Sequence, residues 1–271
     1  MRYLLALILF IGAFTSKADD KLYTQTELNH IADGIKKKGL ALYLNQKMYW
    51  NSYRLINNTH PEILDSMGGE IGYLDGIIYR CVLYSKGNNA IPIATVTYDT
   101  TYNLDNGFVD VQPRLFSASE AELLKMQQAA RHLIEIDTLF KHYSNVYIIT
   151  IPLISKNEKE VYVLSYLKGD DKEIEFGNDY QISFELNRQM NYRKLHKQST
   201  FCRFDNIDSI VGHIHVHYPE DPPFMTPTDI CMSLLYEKHR NMHNCTVISD
   251  RYISIWNGKM LYIVRRDRLP N

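Results

Sequence analysis

The stretch VGHIHVHYPEDPPFMTPTDI (residues 211–230) places three histidines at every second position, followed by a proline-rich loop and a Thr-Pro-Thr-Asp segment. Side chains alternate between the two faces of a β-strand, so His213, His215 and His217 would project from one face. Two imidazoles at this spacing can bind one metal ion if another ligand approaches from elsewhere in the fold. The stretch therefore predicts a strand, a loop and a helix with metal ligands at their junction.

The start of the predicted helix offers that further ligand. Thr226 suits the N-cap, Pro227 suits the first turn, and Asp229 is favoured near the positive end of the helix dipole. The same residues would begin a helix without any metal, and alternating histidines can simply form a polar strand face. The metal interpretation is favoured because a carboxylate returns close to the end of the histidine strand. Zinc is the expected ion, since it accepts imidazole nitrogen and carboxylate oxygen.

Composition and the N-terminal segment indicate an exported globular protein. The 271 residues are 45% hydrophobic and 23% charged, with a formal net charge of -1, which lacks the basic excess that duplex nucleic acid attracts. Residues 1–18 contain one arginine, a short apolar run and a Ser-Lys-Ala ending, which predicts a signal peptide cleaved after Ala18; an uncleaved anchor is the alternative. We expect a periplasmic or secreted protein with no membrane attachment after cleavage. Export would also allow disulfides, although the spacing of the four cysteines selects no pairing.

Hydrophobic periodicity predicts an α+β fold with two regions that meet near residue 144. The N-terminal region, 19–143, would contain helices and an antiparallel sheet, and no role is assigned to it. The C-terminal region, 144–271, would contain a mixed sheet flanked by helices and would carry the metal site. The predicted helices cover 26–38, 40–56, 120–143 and 226–239, with Gly39 interpreted as a helix end and Ser119 with Glu122 as a capping box. The predicted strands cover 77–84, 91–98, 108–111, 146–154, 160–167, 172–176, 180–186, 207–217, 245–248, 252–256 and 260–264, and the polar stretch 187–200 is interpreted as a loop or short helix.

The residues around the histidine strand resemble the signature of the JAMM (MPN-domain) zinc metallopeptidases, in which G-x-x-H-x-H-P leads to S-x-x-D. Gly212 occupies the glycine position of that signature. The resemblance implies that His215, His217 and Asp229 are zinc ligands and that Thr226 takes the place of the serine that supports the oxyanion. It implies a zinc-dependent hydrolase of peptide or isopeptide bonds, with a mixed sheet and helices resembling the family core. Its widest extent is 146–264, and its specific part is 212–229.

Three departures from the family pattern lie in the same stretch. Threonine replaces serine at position 226, Tyr218 separates the second histidine from Pro219, and the interval to the aspartate is one residue longer. A surface loop tolerates an insertion of one residue. The family helix between the first two strands has no counterpart between Val146 and Glu160.

The family also uses a glutamate from an earlier strand, which acts through the water at the zinc. The resemblance points to Glu160, because residues 160–169 begin with a glutamate and end with a glycine as E-x-x-G-x-L-x-G does, in a segment two residues longer than that motif. Val163 stands where the middle glycine would be. Glu173 and Glu175 are the alternatives. On this hypothesis the glutamate takes a proton from the attacking water, and Thr226 donates a hydrogen bond to the developing oxyanion.

Two other metal-binding folds fit the sequence less well, and one non-enzymatic class is an alternative. A TIM-barrel amidohydrolase would carry H-x-H on its first strand with a long chain after it, and a cupin would have no helix start after the histidines. The main alternative is a non-enzymatic exported binding or structural protein with no metal, using the aromatic-rich N-terminal region as a partner surface. Histidines outside the strand, His196 included, have no partnered spacing and are interpreted as structural. A peptide or protein substrate is expected, and its identity and the oligomeric state stay open.

Overall fold

The structure is a computed structural model that describes residues 22–99, 106–155, 158–168, 173–185, 190–196, 199–203, 212–240 and 244–268. The predicted signal peptide and the first part of the predicted strand 207–217 lie outside these ranges. The fold class is α+β, as predicted. The helices are α1 (Gln25–Thr59), α2 (Ala118–Ile136) and α3 (Pro227–Arg240). The strands are β1 (Met67–Asp75), β2 (Ile78–Ser85), β3 (Pro92–Tyr98), β4 (Phe108–Asp110), β5 (Val146–Ile154), β6 (Lys159–Leu167), β7 (Glu173–Phe176), β8 (Tyr180–Phe184), β9 (Met190–Lys194), β10 (Thr200–Arg203), β11 (His213–Val216), β12 (Cys245–Ile248), β13 (Tyr252–Trp256) and β14 (Leu261–Arg265).

Helix α1 is a single helix of 35 residues, so the prediction of two helices separated at Gly39 was wrong. Thr24 caps its N-terminus in a capping box with Glu27. Gly39 is buried where α1 crosses α3, and a Cβ at this position would lie 2.7 Å from Ile230 Cβ and 3.0 Å from the Pro227 carbonyl oxygen. The glycine therefore permits close packing of two helices rather than ending one of them.

Helix α2 begins two residues earlier than predicted. Its N-cap is Ser117, whose side chain accepts a hydrogen bond from the Glu120 backbone, and the Glu120 carboxylate accepts one from the Ser117 backbone N–H. The predicted capping box at Ser119 and Glu122 has the same sequence pattern in a register shifted by two residues. The helix ends at Ile136 rather than near residue 143.

Three four-stranded sheets and one two-stranded ribbon are formed by the described residues. The first sheet, β1-β2-β3-β4, is an antiparallel meander that packs on α1 and α2. The second sheet has the order β5-β6-β8-β9, and β7 pairs separately with β10. Strand β9 lies in the stretch that was predicted to be a loop or short helix.

The third sheet, β11-β12-β13-β14, carries the histidine strand at its edge. Strand β11 is parallel to β12, and α3 makes the crossover between them, while the remaining pairs are antiparallel. This is the mixed sheet with a helix that the sequence predicts for the C-terminal region. A βαβ crossover brings the start of the helix close to the end of the first strand, which is where Thr226 to Asp229 lie.

The two predicted regions share one helix. The N-terminal part of α1 packs into the third sheet, where Leu28 and Ala32 join the cluster around Trp256. Further along α1, Met48 and Ile56 belong to the core of the first sheet. The C-terminal region is therefore packed against an element from the N-terminal one.

Two structural features are relevant to the predicted export, the state of the cysteines and the character of the helices. Cys81, Cys231 and Cys245 are buried free thiols, and the side chain of Cys202 lies outside the described residues. No helix in the described ranges combines the length and the apolar character needed to span a bilayer.

Candidate metal centre

The histidine strand has the predicted alternation. His213, His215 and His217 are buried, with 7%, 7% and 2% of their surface exposed, whereas Ile214 and Val216 are 66% and 55% exposed. The imidazoles face the interior between β11 and α3, and the aliphatic residues form the outer face of the sheet. The period of the pattern therefore predicted correctly which residues enter the interior.

Asp229 lies in the first turn of α3, fully buried, and Thr226 holds it in place. Its Oδ2 accepts hydrogen bonds from the Thr226 backbone N–H at 2.7 Å and from the Thr226 hydroxyl at 2.8 Å. The Asp229 N–H in turn donates to the Thr226 Oγ1 at 3.2 Å. These contacts are an N-terminal capping arrangement that fixes one carboxylate oxygen and turns the other, Oδ1, towards the histidines.

Four side chains bring one ligand atom each to a common point. They are His196, His215, His217 and Asp229, and the four atoms lie within 4.8 Å of one another. The Asp229 Oδ1 is 3.1 Å from His196 Nε2 and 3.3 Å from His215 Nε2, and the Nε2 atoms of His215 and His217 are 3.2 Å apart. Four ligands at zinc bond lengths of about 2.0–2.1 Å in a tetrahedron would be separated by about 3.3–3.4 Å. The group can hold a metal ion.

The outer nitrogen of His217 shows which atom faces the ligand position. Its Nδ1 lies 2.8 Å from the carbonyl oxygen of Pro222, which can only accept a hydrogen bond, so Nδ1 carries the proton. The Nε2 lone pair is then directed at the other three ligand atoms. A hydrogen bond from the outer ring nitrogen to a backbone carbonyl is the usual way in which proteins orient a metal-binding histidine.

The electrostatics of the group are those of a site that attracts a cation. Burial alone would raise the pKa of Asp229, but the adjacent His196 and His215 hold it well below its usual value. Burial alone would lower the pKa of His215, but the Asp229 carboxylate raises it to about 9, and it also raises that of His196. A proton held at this point occupies the place of a metal ion, so metal binding would release protons and weaken as the pH falls.

His213 lies outside the group although it shares the strand face. Its ring stacks on Phe176 with centroids 4.2 Å apart and an interplanar angle of 8°. Burial and the charge on His215 lower the pKa of His213 to about 4. It is therefore a neutral packed ring at neutral pH.

The three candidate glutamates are placed differently. The carboxylate of Glu160 is not in the four-residue group, because it pairs with Lys38 Nζ at 2.8 Å and accepts hydrogen bonds from Gln181 and Tyr162. Glu173 begins β7 and is half-buried. Glu175 is fully buried; Ser199 lies close to it, but neither of its carboxylate oxygens has a hydrogen bond of normal geometry among the described residues. Burial and the nearby Asp179 raise the pKa of Glu175 to about 7.

Two residues of the site were missed by sequence reasoning. His196 follows β9 and reaches the group from 19 positions before His215, without any local spacing that marks it as a ligand. Asp179 directly precedes β8, and its Oδ2 lies 3.8 Å from the outer nitrogen, Nδ1, of His196. The segment Gly177-Asn178-Asp179 resembles an ordinary turn in sequence, so only the fold brings it to the site.

Comparison of the chain with family models, curated proteins and solved structures gives no match. The function of the protein is therefore inferred from the geometry and chemistry of the four-residue group.

Proposed function

We propose that the protein is an exported zinc-dependent hydrolase of peptide or isopeptide bonds. The observation that carries this proposal is the convergence of three imidazole nitrogens and one carboxylate oxygen at a buried point, two of the imidazoles and the carboxylate coming from the βαβ crossover and the third from His196 after β9. His215, His217 and Asp229 stand at the positions that the JAMM-like pattern assigns to zinc ligands. The parallel pairing of β11 with β12 through α3 supports that resemblance beyond the spacing of the residues.

The donor set favours zinc among the biological cations. Three imidazoles exclude magnesium and calcium, which prefer oxygen ligands, and the absence of a cysteine from the group leaves a site suited to a borderline ion. When bound, zinc polarises a carbonyl group and lowers the pKa of a bound water. The other functions fall to side chains of this chain.

We assign the proton-accepting role to Glu175 rather than Glu160. The Glu160 carboxylate already forms an ion pair with Lys38, whereas that of Glu175 is buried without such a partner. A buried carboxylate with a pKa of about 7 matches the requirement for a general base at neutral pH. Thr226 acts here as a positioning residue, because its hydroxyl contacts Asp229 and Thr228.

The test uses the chain from residue 19 onwards, purified and assayed for zinc and for hydrolysis of unstructured peptides and lysine-linked isopeptides. We expect about one zinc per chain. His217→Ala should lose both the zinc and the activity. Glu175→Gln should keep the zinc and lose the activity, while the matched Glu160→Gln should keep both. A metal-free wild-type protein of normal stability would overturn the proposal.

A second candidate function follows from the number of ligands. Structural zinc sites have four protein ligands, whereas catalytic sites have three and an open position. The His196 contact with Asp229 would make a fourth. In that case the protein would be a non-enzymatic exported binding or structural protein stabilised by zinc, and the zinc-loaded wild-type chain would be inactive with every peptide tested.

A further inference from the structure

We propose that His196 is a fourth protein ligand to the ion and that Asp179 positions it, so that the site is closed while His196 is bound to the ion. The inference rests on the proposed metal site and adds to it a ligand that the JAMM-like pattern does not contain. The first observation is one of distance. His196 Nε2 lies 3.1 Å from Asp229 Oδ1, as close as the His215 and His217 nitrogens lie to each other.

The backbone beside His196 is fixed by the core of the protein. Leu195 is buried in the cluster that contains Ile174 and Phe176. Its N–H donates to the carbonyl oxygen of Asp179 at 2.8 Å. The position of the His196 ring is therefore determined by packing at the preceding residue and not by its contact with Asp229 alone.

Asp179 is held on the other side of the His196 ring by a tight turn. Gly177 and Asn178 both have positive φ, of 95° and 56°, and the side chain of Asn178 is bonded to Ser165 Oγ, Lys141 O and Tyr180 Oη. A left-handed non-glycine residue fixed by three side-chain hydrogen bonds is a costly arrangement that folds retain where a neighbouring group must be placed accurately.

The result is a carboxylate facing the outer nitrogen of a ligand histidine. The Asp179 carboxylate is hydrogen-bonded to the Thr228 side chain, its Oδ1 accepts from the Ser165 N–H at 3.3 Å, and its Oδ2 lies 3.8 Å from His196 Nδ1. At that distance the carboxylate and the imidazole can attract each other electrostatically, but they are too far apart for a hydrogen bond of normal length. His196 Nδ1 has no hydrogen-bond partner among the described residues. With an ion bound at Nε2, Asp179 would hold the proton of His196 at Nδ1, as carboxylates do around metal-binding histidines.

The direct test is X-ray absorption at the zinc edge of the wild-type protein, which counts imidazole ligands without the need for a variant. We expect three imidazoles and one oxygen. His196→Ala should show two imidazoles and additional oxygen. His213→Ala is the matched control, because it removes another buried histidine, from the same strand face as His215, but leaves the ligand number unchanged. Two imidazoles in the wild type, unaltered by His196→Ala, would overturn the inference.

The positioning role of Asp179 is tested through metal affinity. Loss of an outer-shell partner of this kind lowers metal affinity by about 10–100-fold. Asp179→Asn should show such a decrease in a competition titration with a chelator, while the absorption spectrum still reports three imidazoles. An unchanged affinity would contradict the role of Asp179.

The activity of His196→Ala separates this inference from the hydrolase proposal. If His196 closes the site, the zinc-saturated variant should hydrolyse peptides faster than the wild type. Three imidazoles together with no hydrolysis in either protein would support the closed site and contradict the hydrolase. Two imidazoles together with hydrolysis would support the hydrolase and contradict the closed site.

Discussion

Two buried clusters of charged and polar side chains, one around Glu120 and one around Asp229, differ in how their charges are balanced. In the first, the Glu120 carboxylate is bound by both terminal nitrogens of Arg114 at 2.7 Å and by the Tyr73 hydroxyl at 2.7 Å. Both carboxylate oxygens of Glu120 accept hydrogen bonds from side chains of the fold, so this cluster needs no bound ion. In the second, three imidazole nitrogens and the Asp229 oxygen all converge on one point.

The comparison indicates how a structural polar cluster differs from a binding site. Burial would raise the pKa of Glu120, but the bonds from Arg114, Ser117 and Tyr73 lower it to about 2, and every partner belongs to the fold. In the histidine cluster, burial disfavours both charged forms, but the attraction between Asp229 and His215 raises the pKa of His215 to about 9 and lowers that of Asp229. A cluster of the second kind can hold a cation.

The largest expected effect is that of removing the metal. With free zinc at about 1,000 times the dissociation constant, binding stabilises the native state by about 4 kcal/mol. We expect urea unfolding to show this loss after treatment with a chelator. Glu120→Gln should show the same zinc-dependent increment, because the two clusters are independent. Equal stability with and without zinc would mean that the histidine cluster, like the Glu120 cluster, needs no bound ion.

The next effect is that of breaking the matched cluster. Glu120→Gln should destabilise the protein at pH 7 by about 1–3 kcal/mol while zinc content stays unchanged. The folded pKa of Glu120, about 2, lies below the ordinary glutamate pKa of 4.5, so this contribution is fully present above pH 4.5. It is lost as the pH falls from 4.5 towards 2. The difference between variant and wild type should therefore shrink across that window, as followed by urea unfolding; a constant difference would contradict the charge pairing.

The contact between α1 and α3 provides a third test. Gly39→Ala places a Cβ against Ile230, one residue from Asp229, and should cost about 1–3 kcal/mol and weaken zinc binding. Gly34 is the matched control on the same helix, because a Cβ there meets nothing within 4 Å. Gly34→Ala should stabilise the protein by about 0.5–1 kcal/mol, from helix propensity, without altering zinc affinity. Thermal unfolding and zinc titration of both variants check the contrast.

The smallest effect concerns the cap of α3. Thr226→Ala removes the hydroxyl that holds Asp229 Oδ2 and should cost about 1 kcal/mol of stability. Zinc affinity should fall by about 10-fold, the lower end of the range for outer-shell partners. Thr226→Ser should retain both properties, since it keeps the hydroxyl. A Thr226→Ala variant with wild-type zinc affinity would limit the residue to helix capping.

Local patterns in the sequence predicted one side of the site well. The alternation of His215 and His217 and the N-cap at Thr226 are decided by neighbours in the chain, so strand period and helix capping suffice to place them. His196 follows β9 and Asp179 precedes β8, and only the tertiary fold brings them to Asp229 at the start of α3. No local spacing encodes that approach.

The same reasoning explains the errors in the fold. Gly39 has the local character of a helix end, but its contact with Ile230 is made only in the folded protein. Ser-x-x-Glu occurs in two overlapping registers before α2. The choice of Ser117 over Ser119 follows from Glu120, which is buried and accepts a hydrogen bond from Tyr73 of β1, and that is a tertiary interaction.

The position of α1 has a consequence for biosynthesis. Gln25 donates to the carbonyl oxygen of Ile263 in β14, and the Tyr23 N–H donates to the Tyr252 hydroxyl, so the N-terminal end of α1 reaches these partners only after β13 and β14 have been made. Contacts between such distant parts of the chain form slowly. The core around the third sheet therefore closes late in synthesis, whereas the C-terminal end of α1 can pack on the first sheet much earlier.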